Sequence, residues 1–150
     1  MRKFIYNSIV EKLQSKMPEI KHFDLWHNQL EYLEGEIPFE LPAVLVEFRP
    51  IKWRHQGNGV RDADVEFALH VLAQNIPASA ELPYSEEALQ FFDTLTNINI
   101  TLLKHAKQGD RFLHGSITAV QSITDSNFAE IRHDIEVFTC CAADGSCRPK

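Results

Sequence analysis

Two stretches of alternating apolar residues, one on each side of a long polar segment, constrain this chain more than any other feature. The first is Pro42-Ala43-Val44-Leu45-Val46-Glu47-Phe48; the second is Asp64-Val65-Glu66-Phe67-Ala68-Leu69-His70-Val71-Leu72. Side chains two apart share one face of a pleat. Val44, Val46 and Phe48 in the first run, and Val65, Phe67, Leu69 and Val71 in the second, therefore mark two strands with a buried face. Segment 49–63 between them is expected to be a loop too long for a tight hairpin turn. It carries Arg49, Lys52, Trp53, Arg54, His55, Arg61 and Asp62 around Gly57-Asn58-Gly59. A compact domain keeps so long a loop for function or because it is disordered.

The flanking sequence predicts the remaining elements. Ile5, Ile9, Leu13 and Met17 recur every four residues against polar Asn7, Ser8, Glu11, Lys12 and Gln14. That spacing predicts an amphipathic helix over 3–15 or 3–17, ended by Pro18. A short strand is expected at 22–26 and an extended piece at 29–33. After the second strand, 75–80 reads as a linker. Ser85-Glu86-Glu87-Ala88 then resembles a helix start, a capping hydroxyl followed by carboxylates at the positive end of the dipole. Ala88, Phe91, Phe92 and Leu95 form the expected buried stripe, and Asn97-Ile98-Asn99-Ile100-Thr101, poor helix formers, predict a break. Two antiparallel strands follow, 115–124 and 129–141, joined by a turn at Asp125-Ser126-Asn127. On the last strand Ile131, His133, Ile135 and Val137 share one face, and Arg132, Asp134 and Glu136 the other. The expected fold is α+β: a mixed, mainly antiparallel sheet of four or five strands with two or three helices against it. Residues 1–141 form one domain and 142–150 a flexible tail.

The 150 residues suffice for a core without metal or disulfide staples. A net charge of −6 argues against general nucleic-acid binding, which needs a basic surface. No stretch approaches the roughly 20 apolar residues of a membrane helix. Met1 to Asn7 has the charges of a signal peptide but not its apolar run, so the protein is expected in a cytosol. Three cysteines, all near the C-terminal end, make no disulfide framework.

Chemistry-bearing patterns are sparse. Cys140, Cys141 and Cys147 lack paired zinc-ligand spacing, and neighbours on a strand point to opposite faces; one buried thiol is the expected role. Histidines at 22, 27, 55, 70, 105, 114 and 133 form no metal-binding pair. Asp62, Asp64 and Glu66 alternate like half a cation site, but a solvated or subunit-facing strand surface is the expected role. No nucleophile elbow, phosphate loop or cofactor fingerprint is present, so neither catalysis nor a cofactor is expected. The 49–63 segment is left: Arg49, Lys52, Trp53, Arg54, His55 and Arg61 mix basic and aromatic groups suited to a protein interface.

The N-terminal helix, the run Ile37-Pro38-Phe39-Glu40-Leu41-Pro42-Ala43-Val44-Leu45-Val46-Glu47, the variable loop, Asp64 to Val71, a helix, and a final strand ending Arg132-His133-Asp134-Ile135-Glu136-Val137-Phe138 together resemble the tail-terminator and tail-completion proteins of long-tailed bacteriophages and prophages. The likeness spans about residues 3–141 and is one of pattern. It implies a structural virion-assembly protein without catalytic residues. Such a protein forms an oligomeric ring, commonly a hexamer, that caps the tail-tube protein and joins the tail to the head-completion or connector protein. DNA passes through without being specifically bound, and no membrane is involved. The protein would lie in the host cytoplasm during assembly and then in the virion tail. The 49–63 loop would reach a neighbouring subunit or the tube, anchored by Trp53 and Arg54. A head-completion, neck or minor tail protein is the nearest alternative. A small-molecule-binding α+β domain is the more distant one, with His70, Asp64, Glu66, His133 and Asp134 the residues to inspect for it.

Overall fold

The computed structural model describes residues 1–32, 37–74, 86–103, 117–128 and 131–144. Its elements are helix α1 (Arg2–Lys16), strand β1 (His22–Leu25), a 3-10 turn at Gln29–Tyr32, β2 (Ala43–Phe48), β3 (Lys52–Gly57), β4 (Val60–Gln74), helix α2 (Glu86–Leu103), β5 (Thr118–Phe128) and β6 (Ile131–Asp144). The α+β class holds, with six strands in one mixed, mostly antiparallel sheet.

The sheet is ordered β1-β2-β4-β6-β5, and β3 pairs with β4 off this path. Only β1 and β2 run parallel. β4 is the spine. It faces β6 continuously from Arg61↔Asp144 to Gln74↔Ile131, while β2 and then β3 share its other edge. The Arg49 N–H donates to the Glu66 carbonyl at 3.0 Å and carries the β2 ladder past Phe48. Pro50 then interrupts it, having no N–H to give.

Each face of this sheet has its own cover. The odd positions of β4 (Ala63, Val65, Phe67, Leu69 and Val71) join Val44, Val46, Phe138 and Cys140 under the helices. The α1 stripe Ile5, Ile9, Leu13 and Met17 packs there as its spacing predicts, with Phe91, Ile98 and Leu102 of α2. Phe67 and Phe138, paired across β4 and β6, stack at 5.5 Å. On the reverse face Ala43, Leu45, Leu72 and Ile131 are covered by Leu30, Trp26, Ile37, Phe39 and Leu41 of the segment after β1.

Several expectations change. The extended piece at 29–33 is a 3-10 turn over Gln29–Tyr32, set by the positive φ of Asn28 and the Glu31 N–H bonding back to its carbonyl at 3.0 Å. α2 has no break at 97–101: burial of Ile98 and Leu102 supplies what propensity withholds. Asn99 caps its amide on the Leu95 carbonyl inside the helix. Phe92 is half exposed rather than buried; the inward stripe is Phe91, Leu95, Ile98 and Leu102. β5 continues through Asp125 to Phe128, so the turn at 125–127 is strand. β6 runs on to Asp144, which takes 142–144 out of the expected tail. The 75–80 linker, the Ser85 cap, Cys147 and the rest of the tail lie outside the described residues.

Phe67→Ala removes a fully buried ring at the centre of this core and its partner contact with Phe138. The expected loss is about 3–5 kcal/mol of unfolding free energy, measured by urea denaturation at neutral pH.

Candidate functional site

Segment 49–63 is not a loop but a β-hairpin. β3 runs antiparallel to the start of β4, with Lys52↔Asp64, Trp53↔Ala63, Arg54↔Asp62 and His55↔Arg61 in register. Its turn is Asn58-Gly59, with φ of 51° and 72°. Positive φ at both central residues is the type I′ geometry whose twist suits a tight hairpin, and Asn-Gly is its best sequence. Gly57, at φ 84°, absorbs the register shift beside the turn. All six residues of β3 are exposed.

Alternation divides the predicted interface residues between two sides. Trp53, His55 and Arg61 share the side that continues the helix-covered face, and Arg61 stacks its guanidinium 3.8 Å above the Trp53 ring. Lys52 and Arg54 lie on the reverse side with Gln56, Asp62 and Asp64. There Arg54 pairs with Asp64, and the Gln56 amide donates to Asp62 at 2.7 Å. Arg49 sits at the root of the hairpin, 3.8 Å from both Glu47 and Glu66. So the structure gathers Arg49, Lys52, Trp53, Arg54, His55 and Arg61 on one hairpin, with an aromatic-basic side and a side of mixed charge. Asp64 and Glu66 fall on this polar surface, each within reach of an arginine.

A second cluster lies on the reverse face and is legible only across strands. His70 of β4 and His133 of β6, both about 4% exposed, meet at 2.9 Å between Nδ1 and Nε2 respectively. His70 Nε2 reaches Glu47 Oε2 of β2 at 3.1 Å, and His133 Nδ1 lies 3.5 Å from Asp125 Oδ2 of β5. Trp26 lies flat on His70 with centroids 3.9 Å apart and extends over His133 at 5.2 Å. Its position is set by its own N–H, which donates to the Val46 carbonyl at 2.9 Å. The Gln29 side chain, bonded to the Leu25 carbonyl and the His27 N–H, tightens the bend that follows. Asp134, adjacent to His133 in sequence, points to the other face and pairs with Arg132.

Counting protons along this row limits its states. Two neutral imidazoles carry two N–H groups, yet three contacts (Glu47 to His70, His70 to His133, His133 to Asp125) each need one. The shortest two are satisfied when His70 donates through Nε2 to Glu47 and His133 donates through Nε2 to His70. His133 Nδ1 then faces Asp125 with a lone pair, and that contact is the longest. Burial first, and the neighbouring His133 and Arg49 as well, push His70 down to about 4 against the pull of Glu47. Burial likewise lowers His133, against Asp125 and Asp134.

Burial also pushes the Cys140 thiol up to about 12, which fits the expected inert role. Cys141 faces the opposite side, with its sulfur 3.6 Å from Arg54. Among the described residues, no group of three or more His, Cys, Asp or Glu side chains is arranged to hold a metal ion. No helix among them is long and apolar enough to cross a membrane. No protein-family model matches this sequence, and no curated protein matches it either.

The histidine row makes stability depend on pH in a defined direction. The unfolded imidazole binds its proton near 6.5, and the folded His70 only near 4. The unfolded chain therefore holds more protons between those values, so stability is full above about pH 6.5 and falls as pH drops toward 4. Denaturant midpoints measured from pH 7.5 to 4 should fall accordingly. His70→Gln, whose amide offers both an acceptor for His133 and a donor for Glu47, should remove much of that slope.

Proposed function

We propose that this protein is a structural assembly component of the tail-terminator kind, a ring that caps a phage tail tube and presents a surface to the head connector. The observation that carries the reading is the hairpin arm. Its outer strand, β3, is exposed throughout and carries an arginine-stacked tryptophan beside the partly buried start of β4. Trp and Arg are the residues most often found anchoring interfaces, and here the strands hold them in place before binding, which lowers the ordering cost of association. The resemblance in sequence pattern supplies the setting: a self-assembling ring with the tube protein on one face, the connector protein on the other, and DNA passing through. An acidic chain suits a channel that must not grip the DNA. A head-completion or neck station would use the same contacts with a different partner, and binding to purified tube protein rather than to the portal side separates the two.

The reading also assigns the histidine row a structural part. All four ring nitrogens face protein groups, and Trp26 closes the row from above. It ties β2, β4, β6 and β5 together across the reverse face.

Light scattering over a concentration series, with negative-stain images, should give closed rings of one size for the native chain. Trp53→Ala combined with Arg54→Ala should abolish the rings and the capping of tubes. Stability should change little, since exposed substitutions typically stay within about 0.5 kcal/mol. Rings that persist in the double variant would rule out the hairpin as the assembly element.

A further inference from the structure

The α2–β5 side of the domain carries a feature that the hairpin does not explain. A groove of about 430 Å³ runs between the helix and the strand, lined on the helix side by Phe92, Leu95, Thr96, Asn99, Ile100 and Leu103. Phe92 is 50% exposed, Ile100 42% and Leu103 40%, so much of this wall is apolar surface in water. At the base of the groove lie two buried carboxylates of β6, Asp134 and Glu136. Asp134 is paired with Arg132 at 3.2 Å. Glu136 is held by two neutral donors, the Asn99 amide at 3.0 Å and the Ser122 hydroxyl at 2.7 Å, which fix its position without cancelling its charge. Among the described residues no lysine or arginine lines the groove itself, but Arg132 borders it, its guanidinium 4.4 Å over the Phe92 ring while it holds Asp134. With Asp134 matched by Arg132, the acidic group of the floor is Glu136 beneath apolar walls, and the site favours an occupant that is aromatic and cationic together.

The same chain presents that chemistry elsewhere. On the helix-face side of the hairpin stand Trp53, His55 and Arg61, and the acids of the hairpin, Asp62 and Asp64, fall on the other side. The two surfaces also lie on opposite flanks of the sheet: β3 pairs along the edge of β4 that β2 occupies, whereas β5 is the strand beyond β6. A subunit therefore cannot fill its own groove with its own hairpin by a small movement, whereas a neighbour can. Contacts between two different surfaces are heterologous, and repeated head to tail they close into a ring when the rotation permits.

We propose that the α2–β5 groove of one subunit receives the Trp53–His55–Arg61 side of the hairpin of the next copy, so that groove and hairpin form the repeating joint of the ring. This rests on the assembly reading above and names the receiving surface for it. Arg61, presented on the flat face of Trp53, approaches Glu136 while the indole lies against Ile100 and Leu103.

The test mixes two assembly-defective chains. One carries Trp53→Ala and Arg61→Ala in the hairpin; the other carries Ile100→Arg and Leu103→Arg on the exposed wall of the groove. Circular dichroism and thermal melting confirm that each folds. Alone, each variant should have the monomer mass by light scattering. Mixed in equal amounts, they should give twice the monomer mass and no more, because one intact joint forms and both remaining ends are blocked. If the groove variant still forms rings, the groove is not the receiver, and the inference falls while the assembly reading stands. If both variants are monomeric but the mixture stays monomeric, the groove and hairpin are not partners. If the native chain is monomeric at every concentration, the assembly reading and the inference fall together.

Discussion

The pairing of β4 on both edges is the constraint on which the rest of the structure depends. A fifteen-residue strand extends roughly 50 Å at the usual rise of about 3.3 Å per residue, and β6 accompanies it almost to both ends. Its second half, with β2 and β6, lies over the helical core. Its first half pairs with β3 and the end of β6, and carries the hairpin on one edge while Ala63, Val65 and Phe67 stay in the core. Because side chains alternate along it, one register decides everything: odd positions go to the helices, even positions to the histidine row and the charged surface of the arm. A slip of one residue would turn Asp64 and Glu66 toward the helical core and move Phe67 and Leu69 to the reverse face. The Phe67–Phe138 pair makes such a slip costly, so packing at the core holds the hairpin residues in place some distance away.

The reverse face shows how a polar feature can be built into that register. His70, opposite Leu45 on β2, and His133, opposite Leu72 on β4, fall on the same side of the sheet by strand parity alone. Two apolar residues there would pack with less cost, since every buried polar atom must find a partner. In return the row links four strands through side chains, and two neutral rings leave one of its three contacts without a proton. A third proton would satisfy all three contacts but must be brought into a site covered by Trp26. Burial resists that charge, which is why the imidazoles hold protons less readily than free ones.

How much of this was legible in the sequence depends on how far apart the cooperating residues lie. The α1 stripe, the strands around Val44 and Phe67, and the two faces of β6 could be read because their signal is periodic within a dozen residues. β3 could not be read that way: Lys52, Arg54 and Gln56 are as polar as Trp53 and His55 are amphipathic, so alternation carries no contrast when both faces meet water. Asn58-Gly59 was the available signal, and its two left-handed residues outweigh the lack of apolar pattern. The unbroken α2 shows the opposite error. Asn97 and Asn99 have low helix propensity, but Ile98 and Leu102 face the core, and tertiary burial wins. The histidine row was visible as two isolated residues. Their contact, and the contributions of Glu47, Asp125 and Trp26, arise only from strand order, which no local pattern encodes. The same is true of the groove, where Asn99 and Glu136 meet across 37 positions of chain.

The character of β5 bears on the proposed joint. Among the described residues it is an edge strand, and its positions 118–124 carry no charge, a character that invites another strand. Yet its pairing with β6 shifts register twice, between Ala119 and Gln121 and between Asp125 and Phe128. Such irregularities twist an edge and interrupt any ladder built upon it. Val120, 53% exposed, lies beside the first of them. Continuous strand addition along β5 is therefore disfavoured, and side-chain docking beside the strand is the better use of that flank. The α2–β5 groove offers such docking: its binding groups are helix side chains and the Glu136 carboxylate of β6, whose positions do not depend on an unbroken ladder at the edge.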